Sequence, residues 1–252
     1  MKKIKTLALS ALFALTAVAA QAQTVDEILN KYFANTGGKD KWMAIKSIKM
    51  AGKMKMQAME LPITMMQAAD GKIKMSANFQ GKEFVQVAFD GTNAWNTNQM
   101  TMKAEKMEGE DTENIKRDAV GDFPDPFIDY KTKGYKVELE GKETIEGTEC
   151  FKVKLTKKPQ KVEGKEEENV VTYFFDAQNY VPIMSRTMVK KGPMKGMAQE
   201  SLFSDYQDIN GLVFPFTISY RMNGQTGQSI TMEKIETNVS LDPKEFAFPD
   251  GK

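Results

Sequence analysis

Histidine is absent from the 252-residue chain, and cysteine occurs once, as Cys150. Without imidazole there is no Ser-His-Asp or Cys-His arrangement and no histidine-ligated zinc, and the commonest general base and proton shuttle is missing. One cysteine excludes an internal disulfide framework, and with no histidine to activate it Cys150 is a poor nucleophile. It falls out of phase with Phe151, Val153 and Leu155, beside Lys152 and Lys154, and is therefore expected to face solvent or an adjacent strand. No Walker loop, dinucleotide fingerprint or EF-hand pattern occurs. Beyond the N-terminal segment, no apolar run reaches the roughly 18 residues that would suggest a membrane span.

The N-terminal segment itself has a distinct grammar. Lys2, Lys3 and Lys5 precede an apolar run from Leu7 to Ala20, and Ala20-Gln21-Ala22 follows with small residues flanking one larger one. This predicts a cleavable secretory signal over residues 1–22 and a mature protein beginning near Gln23, outside the cytoplasm. A lipid anchor would need a cysteine at the cleavage point, so the expected product is an unanchored, soluble chain outside the cytoplasm. Removing the signal leaves 32 basic against 34 acidic residues. That near-balance gives no electrostatic case for nucleic acid. Residues 23–252 are of a size that one β-rich domain can fill.

Local patterns divide the mature chain into a short helical start and a long β region. Thr24 and Glu27 make a capping-box pattern, and Val25, Ile28, Leu29, Tyr32 and Phe33 recur at helical spacing until Gly37-Gly38. A second, shorter helical turn is expected around Asp40 to Ile45, with Trp42 and Ile45 buried. From Ser47 the period becomes two: Ile48, Met50, Met54 and Met56 alternate with polar residues, and Ile63 with Met65 begins the return strand. Ile73, Met75, Ala77 and Phe79, then Val85, Val87 and Phe89, extend an antiparallel sheet whose neighbours are sequential, with Asp90-Gly91 as a turn.

Residues 108–121 are acidic and weakly helical, and Asp122-Phe123-Pro124-Asp125-Pro126-Phe127 stiffens the chain after them. This interruption reads as a lid or plug. Strands resume at Val137 and Leu139, and the charged stretch Lys157 to Asn169 reads as a mobile hairpin loop. Val170 to Phe175 is apolar on both faces, as in a strand covered on both sides. Asn210-Gly211 and Asn223-Gly224 mark hairpin turns around Leu212, Phe214, Phe216, Ile218, Tyr220 and Met222. The phase change between Met232 and Ile235 predicts a bulge near Glu233. About ten strands in a curling antiparallel sheet, with a few helices, make a mainly β, α+β architecture.

Two chemical readings remain once histidine is gone. Asp122 and Asp125, held by prolines, form the one suggestive carboxylate pair, and a two-carboxylate hydrolase would also need an aromatic-walled saccharide cleft. The positive feature is methionine: the mature chain has 17 against seven leucines, and eleven of these fall between Met43 and Met107. Leucine ordinarily leads. The unbranched, polarizable thioether suits a surface that must adapt to varied apolar partners such as acyl chains.

The order of motifs resembles the LolA-like outer-membrane lipoprotein-sorting proteins, in the form common in Bacteroidetes-type envelopes. The resemblance rests on Val25 to Phe33 with Gly37-Gly38 and Trp42, on Phe89-Asp90-Gly91 with Ala94-Trp95, and on Asp122 to Phe127. It continues through Tyr173-Phe174-Phe175-Asp176, Phe203-Ser204-Asp205-Tyr206 and Gly211 to Phe216. It implies an unclosed antiparallel half-barrel whose concave apolar face is covered by helices and receives lipoprotein acyl chains. In the best known carriers an arginine beneath the lid gates the cavity, and none of Arg117, Arg186 and Arg221 stands in a matching motif.

Together these readings predict a monomeric, non-enzymatic carrier without metal or cofactor. Its partners would be lipoprotein acyl chains or lipid, and transport proteins of the inner and outer membranes. Met50, Met54, Met56, Met65, Met75, Val85, Val87, Phe89 and Trp95 are expected on the cavity side, with Phe214, Phe216, Ile218 and Met222 lining its distal part. An envelope sensor or scaffold that recognises lipoproteins or a membrane partner through the same fold is the alternative.

Overall fold

The computed structural model describes residues 23–107 and 109–249; the predicted signal at residues 1–22 lies outside them. Helix α1 (Val25–Asn35) begins on the expected capping box, with Glu27 N donating to Thr24 Oγ1 at 3.2 Å and Thr24 N donating to Glu27 Oε2 at 2.8 Å. Ile28, Leu29, Tyr32 and Phe33 form its buried stripe. The chain then turns through Gly37, whose φ of +111° is a region that L side chains rarely adopt. Helix α2 (Lys39–Met43) places Trp42, 5% exposed, over Phe214 with ring centroids 4.9 Å apart.

Among the described residues thirteen strands follow in one antiparallel sheet. The first six are β1 (Ser47–Met56), β2 (Met59–Ala68), β3 (Ile73–Phe79), β4 (Lys82–Phe89), β5 (Ala94–Thr97) and β6 (Ala104–Met107). After helix α3 (Glu110–Gly121) come β7 (Lys136–Ile145), β8 (Thr148–Val162), β9 (Lys165–Asp176), β10 (Pro182–Met188), β11 (Ala198–Ile209), β12 (Leu212–Met222) and β13 (Gln225–Thr237). The spatial order is β6-β5-β4-β3-β2-β1-β13-β12-β11-β10-β9-β8-β7. Two meanders are thus joined back to back where the first strand pairs with the last. The four-residue β5 and β6 are too brief to show a period, and with β10 they raise the number of strands above the ten or so expected from the sequence.

This order fixes where α3 must run. Its two flanking strands, β6 and β7, are the opposite outer edges of an unclosed sheet, so the segment between them has to cross from one arm to the other. It crosses on the inner face, the side on which α1 and α2 pack.

Turn chemistry follows the sequence closely. Asn210 and Gly211 have φ of 56° and 77°, and Asn223 and Gly224 have 49° and 80°, the paired positive values of tight hairpin turns. The register jumps from Ala51↔Lys234 to Gly52↔Met232, leaving Glu233 as the extra residue at the predicted bulge. The stretch Lys157 to Asn169 departs from expectation. Strands β8 and β9 run through it to a turn at Glu163-Gly164, and two of its lysines, Lys157 and Lys161, pair with acids of α3.

Of the two places expected for Cys150, solvent or an adjacent strand, it takes the second: it lies out of phase with Phe151 and is fully buried. Phe174, Met184 and Ile145 cover it in a small apolar cluster on the outer face. Burial pushes its thiol up to about 11. Strand β9 is accordingly covered on both sides, with Phe174 outside and Phe175 in the main core.

Candidate functional site

Cross-strand pairing arranges the inner wall in rows. Ile235, Met50, Met65, Met75 and Val87 stand opposite one another on β13, β1, β2, β3 and β4. A parallel row runs Phe203, Ile218, Ile230, Met54, Leu61 from β11 to β2. Alternation keeps these side chains on one face while Lys49, Lys53 and Lys55 point to the other.

At the end of the sheet where β1 turns into β2, this wall opens into a hollow of about 990 Å³. Met54, Met56, Met59, Leu61, Phe79 and Phe84 line it, and Met100 and Met102 enter from the loop between β5 and β6. Met100 is 93% exposed, and Met56, Met59 and Met102 between 43% and 48%, so the methionines form an open mouth. The polar residues at the mouth are five amides, Gln86, Asn96, Asn98, Gln99 and Gln228, one hydroxyl, Thr97, and one acid, Glu105. Deeper, beneath the segment after α3, a cavity of about 190 Å³ lies among Met50, Ile48, Tyr32, Trp42, Phe203 and Phe214. A third space, about 350 Å³, separates Gln67, Ile73 and Val87 from Ile115, Ala119 and Phe123.

Helix α3 closes the inner face as a polar strap. It contributes no buried residue, so packing alone does not hold it. Lys157, its side chain 7% exposed, donates to Asp122 at 2.7 Å and pairs with Asp118 at 3.6 Å. Asn114 donates to Lys161 O at 2.7 Å and accepts from Lys161 N at 3.0 Å, and Glu110 accepts from the backbone N–H groups of Glu163 and Gly164. Arg117 lies on the strap itself and donates to Pro159 O at 2.6 Å. Burial pushes Asp122 above the usual carboxylate range although Lys157 opposes it.

Asp125 follows in the proline-stiffened segment and is 8% exposed. It accepts from Tyr32 Oη at 2.8 Å and from Phe127 N at 2.8 Å, and loss of water raises its pKa to about 6. Both carboxylates of the candidate pair are thus engaged within the chain: one pins the strap, and the other fastens α1 to the segment below it. Among the described residues no group of three or more His, Cys, Asp or Glu side chains could hold a metal ion.

All but two of the predicted lining residues divide into three sets. Met50, Met65, Met75 and Val87 share one row, Met54 and Ile218 the next, and Met56 stands at the mouth. Phe214 and Phe216, 3% and 6% exposed, pack in the core beneath the helices. Phe89 is buried opposite Ile73, and Met222 pairs with Gln199 and Gln225 at the strand end.

Val85 and Trp95 are corrections. The register steps from Met75↔Val87 to Ser76↔Val85, so Gln86 is inserted and Val85 turns to the outer face. There it meets Ala88 and Trp95, whose indole N–H donates to Phe246 O at 2.8 Å under the C-terminal segment. Sequence reasoning missed Met59, Leu61, Phe84, Met100 and Met102. Met59 and Leu61 could have been found by reflecting Met56 and Met54 through the hairpin turn.

Solved structures with this geometry are known. A LolA superfamily protein from Nitrosomonas europaea superposes with a TM-score of 0.53 over 90% of this chain and 98% of its own, at 13% identity. The chain has the LolA-like fold. A DUF1329 family protein from Desulfovibrio piger gives a TM-score of 0.55 at 13% identity, covering 90% of this chain and 98% of its own. A domain described as that of an outer membrane lipoprotein-sorting protein, from Vibrio parahaemolyticus, gives 0.52 at 10% identity, over 87% of this chain and 94% of its own. No protein-family model and no curated protein matches the chain. At these identities the likeness to the LolA-like structures is one of fold. No helix among the described residues is long and apolar enough to cross a membrane.

Proposed function

We propose that this protein is a non-enzymatic carrier of the bacterial envelope that takes up acyl chains, those of lipoproteins or other lipids, along its methionine-walled inner face. The observation behind this reading is the continuity of the wall. Methionine rows line the sheet under the strap and end in an open, apolar mouth of about 990 Å³. Burying one methylene yields about 0.8 kcal/mol, so some twelve methylenes of a chain offer on the order of 10 kcal/mol before ordering costs. Flexible thioethers accept chains of different length and branching, and they also let them go. A free shuttle also requires loss of the signal at residues 1–22, and it would hand its cargo between partners at the inner and outer membranes.

The test is direct. Protein purified gently from periplasm is extracted with organic solvent and analysed by mass spectrometry, and delipidated protein is titrated with a fluorescent palmitoylated peptide. Co-purifying acyl lipid and saturable uptake are expected, with uptake at least tenfold weaker in a Met56→Asp/Met59→Asp variant. No bound lipid together with no uptake would sink the proposal.

A further inference from the structure

We infer that the mouth of the hollow is a binding site for a soft monovalent cation, Cu(I), built from the thioethers of Met54, Met56 and Met59. An apolar wall does not require sulfur, since leucine would bury as well, and three thioethers on one hairpin face add a donor set that leucine lacks. Met54 and Met56 are two residues apart on β1 and so share a face, and Met56 stands directly opposite Met59 across the last rung before the turn. Directly opposed Cβ atoms are about 4.5–5.5 Å apart. Three rotatable bonds per side chain let the sulfurs converge from that spacing. Met100 and Met102 line the same hollow and could complete the coordination.

The chemistry selects the ion. Thioethers favour Cu(I), whereas hard divalent ions take oxygen donors. No imidazole competes for a soft ion, and the one cysteine is buried on the outer face. One acid, Glu105, lines the same hollow, and its hydrogen-bond donor among the described residues is the neutral amide of Asn98, at 2.9 and 3.0 Å. One carboxylate suits a monovalent cation held by neutral ligands.

Anaerobic, reduced protein is titrated against the coloured Cu(I)–bicinchoninate complex, and the methionine methyl groups are followed by NMR during addition of Ag(I) as a redox-inert analogue. The protein should withdraw one equivalent of Cu(I), with shifts at the methyls of Met54, Met56 and Met59. A Met54→Leu/Met56→Leu/Met59→Leu variant should lose affinity at least tenfold while keeping the wild-type circular dichroism. A Met188→Leu/Met194→Leu/Met197→Leu variant, altered at exposed methionines elsewhere, should bind as the wild type. No withdrawal by the wild type would overturn the inference, as would equal affinity in the mouth variant or an equal loss in the distant one. These readouts do not depend on whether the hollow takes acyl chains.

Discussion

Replacing Lys157 by methionine should loosen the strap and leave the sheet intact. The substitution keeps an apolar stem and removes the ammonium, so Asp118 and Asp122 lose their shared cation. Asp122 Oδ1 is buried and has no hydrogen-bond partner among the described residues, which sharpens the penalty. An exposed ion pair is worth up to about 1 kcal/mol, and removing one partner of a buried pair costs about 3–5 kcal/mol. Here the lysine is 7% exposed and the two carboxylates 34% and 36%. The geometry lies between those limits, at about 2 kcal/mol.

Because α3 buries no residue of its own, that loss falls on its docking. About 2 kcal/mol corresponds to a roughly thirtyfold rise in the local opening constant. Amide hydrogen exchange reads it directly. The N–H groups of Ile115 to Val120 should exchange about thirtyfold faster, while those of Val153 and Ile230 in the sheet keep their protection. Adding Asp122→Asn should restore part of the difference, since an amide needs no counter-charge. Unchanged exchange in α3, or an equal acceleration in α3 and the sheet, would refute the view that these ion pairs hold the strap.

Three further outcomes follow from single sites. The Asp125 pKa rises from 3.8 to about 6 on folding, so its contribution to stability is fully present below pH 4 and is lost as pH rises through 6, up to about 3 kcal/mol. Urea midpoints of Asp125→Asn should therefore gain on the wild type across that window; parallel curves would contradict the burial argument. Gly37→Ala would drive a Cβ into the carbonyl of Gly211 at a φ of +111°. It should cost at least about 2 kcal/mol in chemical denaturation, and a neutral result would mean that the α1–α2 corner is not seated on that turn. Cys150, fully buried with its thiol pushed up to about 11, should resist a thiol reagent in the native protein and react once urea unfolds it.

What the sequence reveals tracks how local the physics is. The α1 capping box, the Asn-Gly turns and the Glu233 bulge depend on a few adjacent residues, and each is legible in the amino-acid order alone. Membership of a face depends on register, which one inserted residue inverts. Gln86 does so, and Val85 moves to the outer face although the alternation of Val87 and Phe89 beyond it is correct; Trp95 lies on that face because it pairs with Ala88, in a four-residue strand too short to show a period. The charged stretch around Glu163 reads as loose because its partners, Glu110 and Asn114, are about fifty positions away. The wall methionines of β1, β2 and β3 are legible because they alternate, whereas Met100 and Met102 lie in a loop with no period.

The same contrast divides the structure itself. On the β7–β13 side, aromatic side chains interlock beneath the helices: Tyr32, Phe127, Tyr173 and Phe175 meet at centroid distances of 4.9 to 6.5 Å, and Trp42 covers Phe214. Flat rings with few rotamers and defined edge-to-face geometry fix one arrangement. On the β1–β6 side the inner wall is methionine, which fixes none. In the proposed carrier the aromatic half would seat α1, α2 and the segment after α3 rigidly, and the methionine half would re-form around a guest entering through the open mouth. The strap joins the two through polar contacts that water can replace. On this reading the concentration of methionine in one stretch of sequence is the compositional trace of that division. Exchanging Met50, Met65 and Met75 for isoleucine should raise the unfolding midpoint and narrow the range of acyl lengths taken up. A variant that gains stability and keeps the full range would show that compliance of the wall does not set what it accepts.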